Sequence, residues 1–183
     1  MASGFQRDKI TGVFTAMDHD HDGALTEADF DALTDRWREV RGAPVGSPDH
    51  HRLATIMLGW WHTLRAAAGT DRVTVHDVLG VVDQLPSALD AVTETANAMF
   101  DAVDEDHDGR ITPAEHQRLV DAWNGRPTPL GDVFRSLDTN GDGTLSRDEF
   151  TALWTEFWAG DDPTAPGTLL FGPVRQSNAK RGV

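Results

Sequence analysis

The stretch Asp104–Glu115, DEDHDGRITPAE, constrains the chain more than any other. Carboxylates stand at its first, third and fifth places, as Asp104, Asp106 and Asp108. Gly109 follows at the sixth place, Ile111 at the eighth, and Glu115 closes it at the twelfth. This spacing suits a hard cation. Ca²⁺ takes about 6–8 oxygens at about 2.3–2.6 Å, and a 12-residue loop supplies them from positions 1, 3, 5, 7, 9 and 12. Gly109 permits the sharp turn around the ion, the main-chain carbonyl of Arg110 serves the seventh place, and Thr112 holds the often water-mediated ninth. Glu115 offers both oxygens at once. A merely acidic surface turn would not need Gly, Ile and Glu at these offsets.

The same loop starts a helix. Thr112 and Glu115 form a capping-box pair, and Pro113 falls at the first helical position. Ion binding and the orientation of the exiting helix therefore become one event.

Two further loops repeat the pattern. In Asp18–Asp29, DHDHDGALTEAD, the candidate ligands are Asp18, Asp20, Asp22, the carbonyl of Ala24, Thr26 and Asp29. In Asp138–Glu149, DTNGDGTLSRDE, they are Asp138, Asn140, Asp142, the carbonyl of Thr144 and Glu149, with Ser146 at the ninth place. Asp29 is one methylene shorter than the Glu at the other two closing positions. A smaller cage leans toward Mg²⁺, which wants oxygens at about 2.0–2.1 Å, so Mg²⁺ is expected as a competitor at this first loop. A fourth segment, Ala66–Asp77, aligns at its eighth, ninth and twelfth places through Val73, Thr74 and Asp77. Yet Ala66 and Ala68 stand where ligands belong and Asp71 replaces the turn glycine, so this loop is expected to bind no metal.

Apolar residues at helical spacing flank every loop. Ile10, Val13 and Phe14 precede the first, and Phe30, Leu33 and Trp37 follow it. Leu53, Met57, Trp60, Trp61 and Leu64 lead to the second, and Val78, Val81, Val82 and Leu85 leave it over about Asp77–Gln84, which Pro86 ends. A helix over Ser87–Val103 feeds the third loop, and the helix after it stops at Asn124-Gly125. Pro127–Leu137 leads to the last loop, and Phe150, Leu153, Trp154, Phe157 and Trp158 leave it. Loop starts at 18, 66, 104 and 138 make four helix–loop–helix units. The fold class is thus all-α: a compact arrangement of two pairs, with short β contacts between paired loops, Leu25 with Val73 and Ile111 with Leu145. The expected division is an N-terminal pair over 1–86, a C-terminal pair over 87–160, and a tail over 161–183. The tail's Leu169, Leu170 and Phe171 need cover, so it is expected to fold back on the cleft.

The formal charge is −14, and the three ligand-bearing loops hold 14 of the 30 acidic residues. The charge therefore belongs to the loops. No basic stripe exists to neutralise phosphates, which argues against nucleic acid. There is no Cys, hence no disulfide framework or thiolate site. MASGFQRDKI lacks an apolar h-region and no run of about 18 apolar residues occurs, so no membrane association and a cytoplasmic location are expected. Arg outnumbers Lys fourteen to two, a compositional hint of a GC-rich, bacterial genome.

These three loops are EF-hand loops. A live first, dead second and live third and fourth loop resembles the sarcoplasmic calcium-binding proteins, and most closely their bacterial calerythrin-like members. Asp29 at the twelfth place and the ending DDPTAPGTLLFG resemble that group too. The resemblance spans nearly the whole chain. It implies a compact four-EF-hand fold, about three Ca²⁺ per chain, and a monomeric intracellular calcium buffer or transporter that requires no protein target. The alternative is a sensor that presents an apolar groove to a target. Sensors use Met-rich grooves, whereas Met1, Met17, Met57 and Met99 are few and scattered. The light-emitting photoproteins share the live–dead–live–live pattern, but this chain has no Tyr. The carboxylates are committed to cations and no catalytic constellation is read, so no enzyme activity is expected. His19, His21 and His107 occupy second and fourth loop places that point away from an ion. His50-His51 lacks a third ligand at helical spacing, and Trp60-Trp61 reads as core.

Overall fold

The computed structural model describes residues 3–173. Helix α1 (Gly4–Met17) leads into the first loop, whose short strand β1 (Ala24–Leu25) opens onto α2 (Glu27–Arg41). Helix α3 (Pro48–Ala68), strand β2 (Val73–Thr74) and α4 (Val75–Val82) form the second unit. The third is α5 (Leu89–Val103), β3 (Arg110–Ile111) and α6 (Pro113–Asn124). The fourth is α7 (Val133–Leu137), β4 (Leu145–Ser146) and α8 (Arg147–Ala159). The molecule is all-α apart from two antiparallel contacts, Leu25 opposite Val73 and Ile111 opposite Leu145, both between eighth loop positions as expected.

Two elements differ from their sequence patterns. Helix α4 stops at Val82, and Pro86 sits in a separate 3₁₀ turn over Leu85–Ser87. Proline fixes φ and has no N–H, so it suits a tight turn better than a helix end. Helix α7 is barely more than one turn, because Pro127 and Pro129 keep the preceding segment out of the helix.

The core runs through both pairs. The Trp60 ring lies 5.5 Å from Phe30, 5.4 Å from Trp123 and 5.9 Å from Trp158, joining α2, α3, α6 and α8. Such edge and tilted contacts add about 0.5–1.5 kcal/mol each beyond the area they bury. Beyond α8 a 3₁₀ turn over Pro166–Leu169 brings the chain back. Leu170 is wholly buried, and the Phe171 ring sits 4.5 Å from Trp123 and 4.7 Å from Phe157. Gly167 allows this return. A Cβ there would lie 2.3 Å from the Leu153 carbonyl oxygen. The Gly167 N–H donates to Glu156 Oε2 at 2.8 Å, and His116 Nε2 stands 2.9 Å from the Leu170 carbonyl. Burial lowers the His116 pKa to about 4 against the pull of that carbonyl, so at neutral pH the uncharged ring donates its Nε2–H. Residues 174–183 of the tail lie outside the described residues.

Candidate metal centres

Each ligand-bearing loop begins where its entering helix ends. Asp18, Asp104 and Asp138 are the C-caps of α1, α5 and α7, and their N–H groups donate to Phe14, Phe100 and Phe134. The sixth-place glycines turn in the left-handed region, with φ of 82° at Gly23, 81° at Gly109 and 88° at Gly143. The fourth place also needs positive φ. Gly141 supplies it freely, whereas His21 and His107 adopt φ of 58° and 60°. A non-glycine residue in that region is uncommon, and this demand is not visible in the reading of these histidines as solvated side chains.

The loops hold their own carboxylates in place. Asp18 Oδ2 accepts from Gly23 N at 3.0 Å and Asp22 Oδ1 from Ala24 N at 2.9 Å. Asp104 Oδ2 accepts from Gly109 N at 3.0 Å and Asp108 Oδ1 from Arg110 N at 2.8 Å. In the last loop Asp138 Oδ2 takes Gly143 N at 2.8 Å, and Asn140 Oδ1 takes Asp142 N at 2.8 Å. The closing residues tie the two loop ends together. Asp29 bridges His19 N and Thr26 N, at 2.9 and 2.8 Å. Glu115 does the same for Glu105 N and Thr112 N, at 2.9 and 2.8 Å. Glu149 joins the Thr139 hydroxyl, at 3.2 Å, to Ser146 N, at 3.0 Å. The ninth-place hydroxyls of Thr26, Thr112 and Ser146 donate to the twelfth-place carboxylate. Each therefore caps its helix within the loop.

Two sets of carboxylates converge. One oxygen each from Asp18, Asp20 and Asp29 lie within 4.8 Å of one another, and so do those of Asp104, Asp106 and Asp108. Asp29 joins its cluster despite the missing methylene. Asp22 and Glu115 stand outside these two clusters, held by the loop's own donors and, for Asp22, by an arginine. Asp18, Asp29, Asp104 and Glu115 are buried, while the ligands of the last loop are half-exposed or exposed. One atom tests the fit to a cation. Asp104 Oδ1 is shut off from solvent and has no hydrogen-bond partner. An unsatisfied buried carboxylate oxygen is costly, and a hard cation coordinated by Asp104, Asp106 and Asp108 would satisfy it. The oxygen-only donor sets of all three loops suit Ca²⁺ or Mg²⁺.

The second loop is rebuilt. Helix α3 runs through Ala66 and Ala68 and is capped by Gly69, so the first and third ligand places are helical. Asp71 pairs with Arg65, at 2.5 Å, instead of turning the chain. From this loop Arg72 reaches across the β1–β2 contact to Asp22 Oδ2 at 2.9 Å. The hydrogen bond and charge of Arg72 hold the Asp22 carboxyl below its usual range. The second pair mirrors this. Arg110 Nη1 lies 3.2 Å from Asp142 Oδ2 and 2.9 Å from the Thr144 hydroxyl. In each pair a seventh-place arginine meets the fifth-place aspartate of the opposite loop. Superposing the loop pairs by register would have found the Arg72 and Arg110 side chains, whereas ligand counting uses only the carbonyl of Arg110 and passes over Arg72.

Another arginine ties the halves together. Arg41, in the last turn of α2, has a buried side chain over the Trp37 ring. Its Nη1 lies 3.0 Å from Asp49 Oδ1 and its Nε 3.2 Å from Glu105 Oε1, and Nη2 donates to the Ala102 carbonyl. Glu105 is the second residue of the third loop, and Arg118 Nε also holds it at 2.7 Å.

Residues 93–155 match the family described as EF-hand domain pair. Calerythrin of Saccharopolyspora erythraea is 25% identical over 175 residues, which cover 87% of this chain and 96% of that protein. Sarcoplasmic calcium-binding proteins II, V, VI and VII of Branchiostoma lanceolatum are 24% identical over 147 residues, covering 80% of this chain and 66% of theirs. A calcium-binding protein of Streptomyces coelicolor, whose structure is described as a basis for prokaryotic calcium-mediated regulation, superposes with a TM-score of 0.66 at 23% identity, over 86% of this chain and 99% of that one. Among the described residues no helix is long and apolar enough to cross a membrane. The ligand spacing, the two paired loops and these likenesses agree: residues 93–155 form an EF-hand domain pair, and the chain as a whole is similar to calerythrin and the sarcoplasmic calcium-binding proteins.

Proposed function

We propose that this protein is a monomeric calcium buffer with three cation sites, at loops 18–29, 104–115 and 138–149, and none at 66–77. Asp18, Asp20, Asp22, the Ala24 carbonyl and Asp29 hold the first ion. Asp104, Asp106, Asp108, the Arg110 carbonyl and Glu115 hold the second, and Asp138, Asn140, Asp142, the Thr144 carbonyl and Glu149 the third. Thr26 reaches the first ion through water. Mg²⁺ competes at the first site, where the closing residue is Asp.

The observation that carries the buffering role is the burial of Leu170 and Phe171 among Trp123, Trp154 and Phe157. A sensor offers an apolar groove to a target when calcium opens its helix pairs. Here the chain's own tail occupies aromatic surface between α6 and α8. A sensor is the second reading, favoured by the regulatory description attached to the Streptomyces neighbour. ANS fluorescence separates the two. A buffer gives high signal without calcium, falling as calcium closes the chain over its core. A signal that rises with calcium would replace the buffer with a sensor. Calorimetric titration reads the stoichiometry, and a value other than three ions per chain would overturn the site assignment.

A further inference from the structure

We infer that the junction of the two pairs carries a binding site for a neutral, hydrocarbon-like molecule about the size of two fused rings. A cavity of about 240 Å³ lies between α1, α3, α4, α5 and α8. Phe14, Trp60, Val78, Val82, Val92 and Trp154 are among its walls, and it opens beside the exposed Ala67, Ala88 and Ala91. Protein interiors are close-packed and leave few voids larger than a water molecule. An apolar cavity of about 150 Å³ stays dry and accepts benzene, so this volume suits a bicyclic molecule.

The lining sets the chemical class. No ionisable side chain faces the cavity. Three of its polar side chains spend hydrogens on helix carbonyls: the Thr63 hydroxyl on Gly59 at 3.0 Å, the Thr95 hydroxyl on Val92 at 2.9 Å, and the Gln84 amide on Gly80 at 3.2 Å. Thr95 Oγ1 also accepts from Trp154 Nε1 at 3.1 Å. The buried Nε1–H of Trp158, another lining residue, has no partner, and it is a neutral donor. A charged guest would lose its hydration with no counter-charge to replace it, whereas a flat apolar one keeps contact with Trp and Phe faces. Residues 174–183, VRQSNAKRGV, carry three cations and only two large apolar side chains, so the chain's own end is a poor occupant. The site meets the first cation loop at Leu25, its eighth place, and it binds without transforming its guest, since no ionisable side chain lines it.

The test titrates the calcium-loaded full chain with naphthalene, followed by the methyl NMR signals of Val78, Val82 and Val92, with 2-naphthoate as the charged control. We expect saturable one-to-one binding of naphthalene, with 2-naphthoate at least about tenfold weaker. Val13→Trp fills the interior and Ala67→Trp, at an exposed position, closes the mouth. Each should weaken naphthalene at least about tenfold while calcium stoichiometry and helical circular dichroism stay unchanged. Deleting residues 174–183 should change nothing. The inference is overturned if the wild-type chain binds naphthalene without saturation, if 2-naphthoate binds as well, or if both tryptophan variants bind as wild type does. A gain in affinity on deleting residues 174–183 would also overturn it, because the tail would then be the natural occupant.

Discussion

The first loop pair sets a ligand-rich loop against one with Ala66 and Ala68 at ligand places, while the second pair sets two ligand-bearing loops against each other. Their backbones nevertheless meet in the same register, with Leu25 on Val73 and Ile111 on Leu145. The strand contact therefore does not depend on two ions per pair. What differs is how the charge on the ligands is balanced. In the second pair one ligand-bearing loop lends Arg110 to the other. In the first, the loop without ligands lends Arg72 to Asp22. A loop without ligand side chains at its first and third places still acts on its neighbour, as a tethered cation.

Removing calcium should have the largest effect. An ion that binds only the folded state stabilises it by about 4 kcal/mol per site at a thousandfold excess over Kd. Three sites amount to roughly the whole stability of an ordinary domain, so the chelated protein should be loose, with poorly dispersed NMR signals. Within that loss the pairs should differ. With the three sites proposed above, Asp29→Asn should strip the first pair of its one ion, whereas Glu149→Gln should leave the second pair with one. Asp29→Asn should therefore broaden the signals of α1 to α4 more than Glu149→Gln broadens those of α5 to α8. Equal broadening would break the comparison.

Arg41→Met tests where the pairs join. Severing a buried ion pair costs about 3–5 kcal/mol, and the lower figure is expected because Glu105 keeps Arg118 and Asp49 keeps Arg52. Denaturant unfolding measures this. The same variant should weaken calcium at loop 104–115 more than at loop 138–149, since Arg41 grips the carbonyl of Ala102 and the side chain of Glu105.

Lys9 gives a pH-dependent probe of the same junction. Its ammonium donates to the Glu156 and Gly160 carbonyls at the end of α8, at 3.3 and 3.0 Å, between the rings of Phe5 and Phe157. Burial lowers its pKa from 10.5 to about 8, with Asp161 and Glu156 opposing. The folded state thus sheds this proton before the unfolded state does, and stability rises with pH between about 8 and 10.5. Between pH 8 and 10 the gain should be about 2 kcal/mol. The window is clean, because the chain has no Tyr or Cys and only one other Lys. Lys9→Met should flatten the profile of urea midpoint against pH, and an unchanged profile would remove Lys9 from the junction.

The smallest effect is expected at Arg72. Exposed ion pairs are weak and screened by salt. Arg72→Gln should tighten calcium at the first loop roughly two- to fivefold at low ionic strength, with the difference fading in salt. Arg110→Gln should do the same at loop 138–149. An effect of Arg110 with none of Arg72 would return the second loop to a purely structural part.

The four repeats, the ligand places, the helix starts and the β register were legible in the sequence for a shared reason. Each is settled within about a dozen residues, where covalent geometry and local hydrogen bonds leave few choices. Glu115, for example, is tied to Glu105 N and Thr112 N, both within its own loop. The left-handed fourth place escaped because a histidine there looks like any exposed polar residue. The early end of α4 and the shortness of α7 escaped because a proline marks a boundary only to within a turn.

By itself the sequence determined which side chains stand at cation-ligand spacing, which loop lacks them, and which loops pair. Only the tertiary structure decided that Arg72 lies on Asp22, that Arg41 reaches from α2 to the third loop, that Trp60 joins both pairs, and that Phe171 lies against Trp123 while a cavity stays open beside Val92. Helical periodicity says that a side chain turns inward. It does not say which of the other helices it meets, because that depends on how rigid, close-packed helices settle together once all are present.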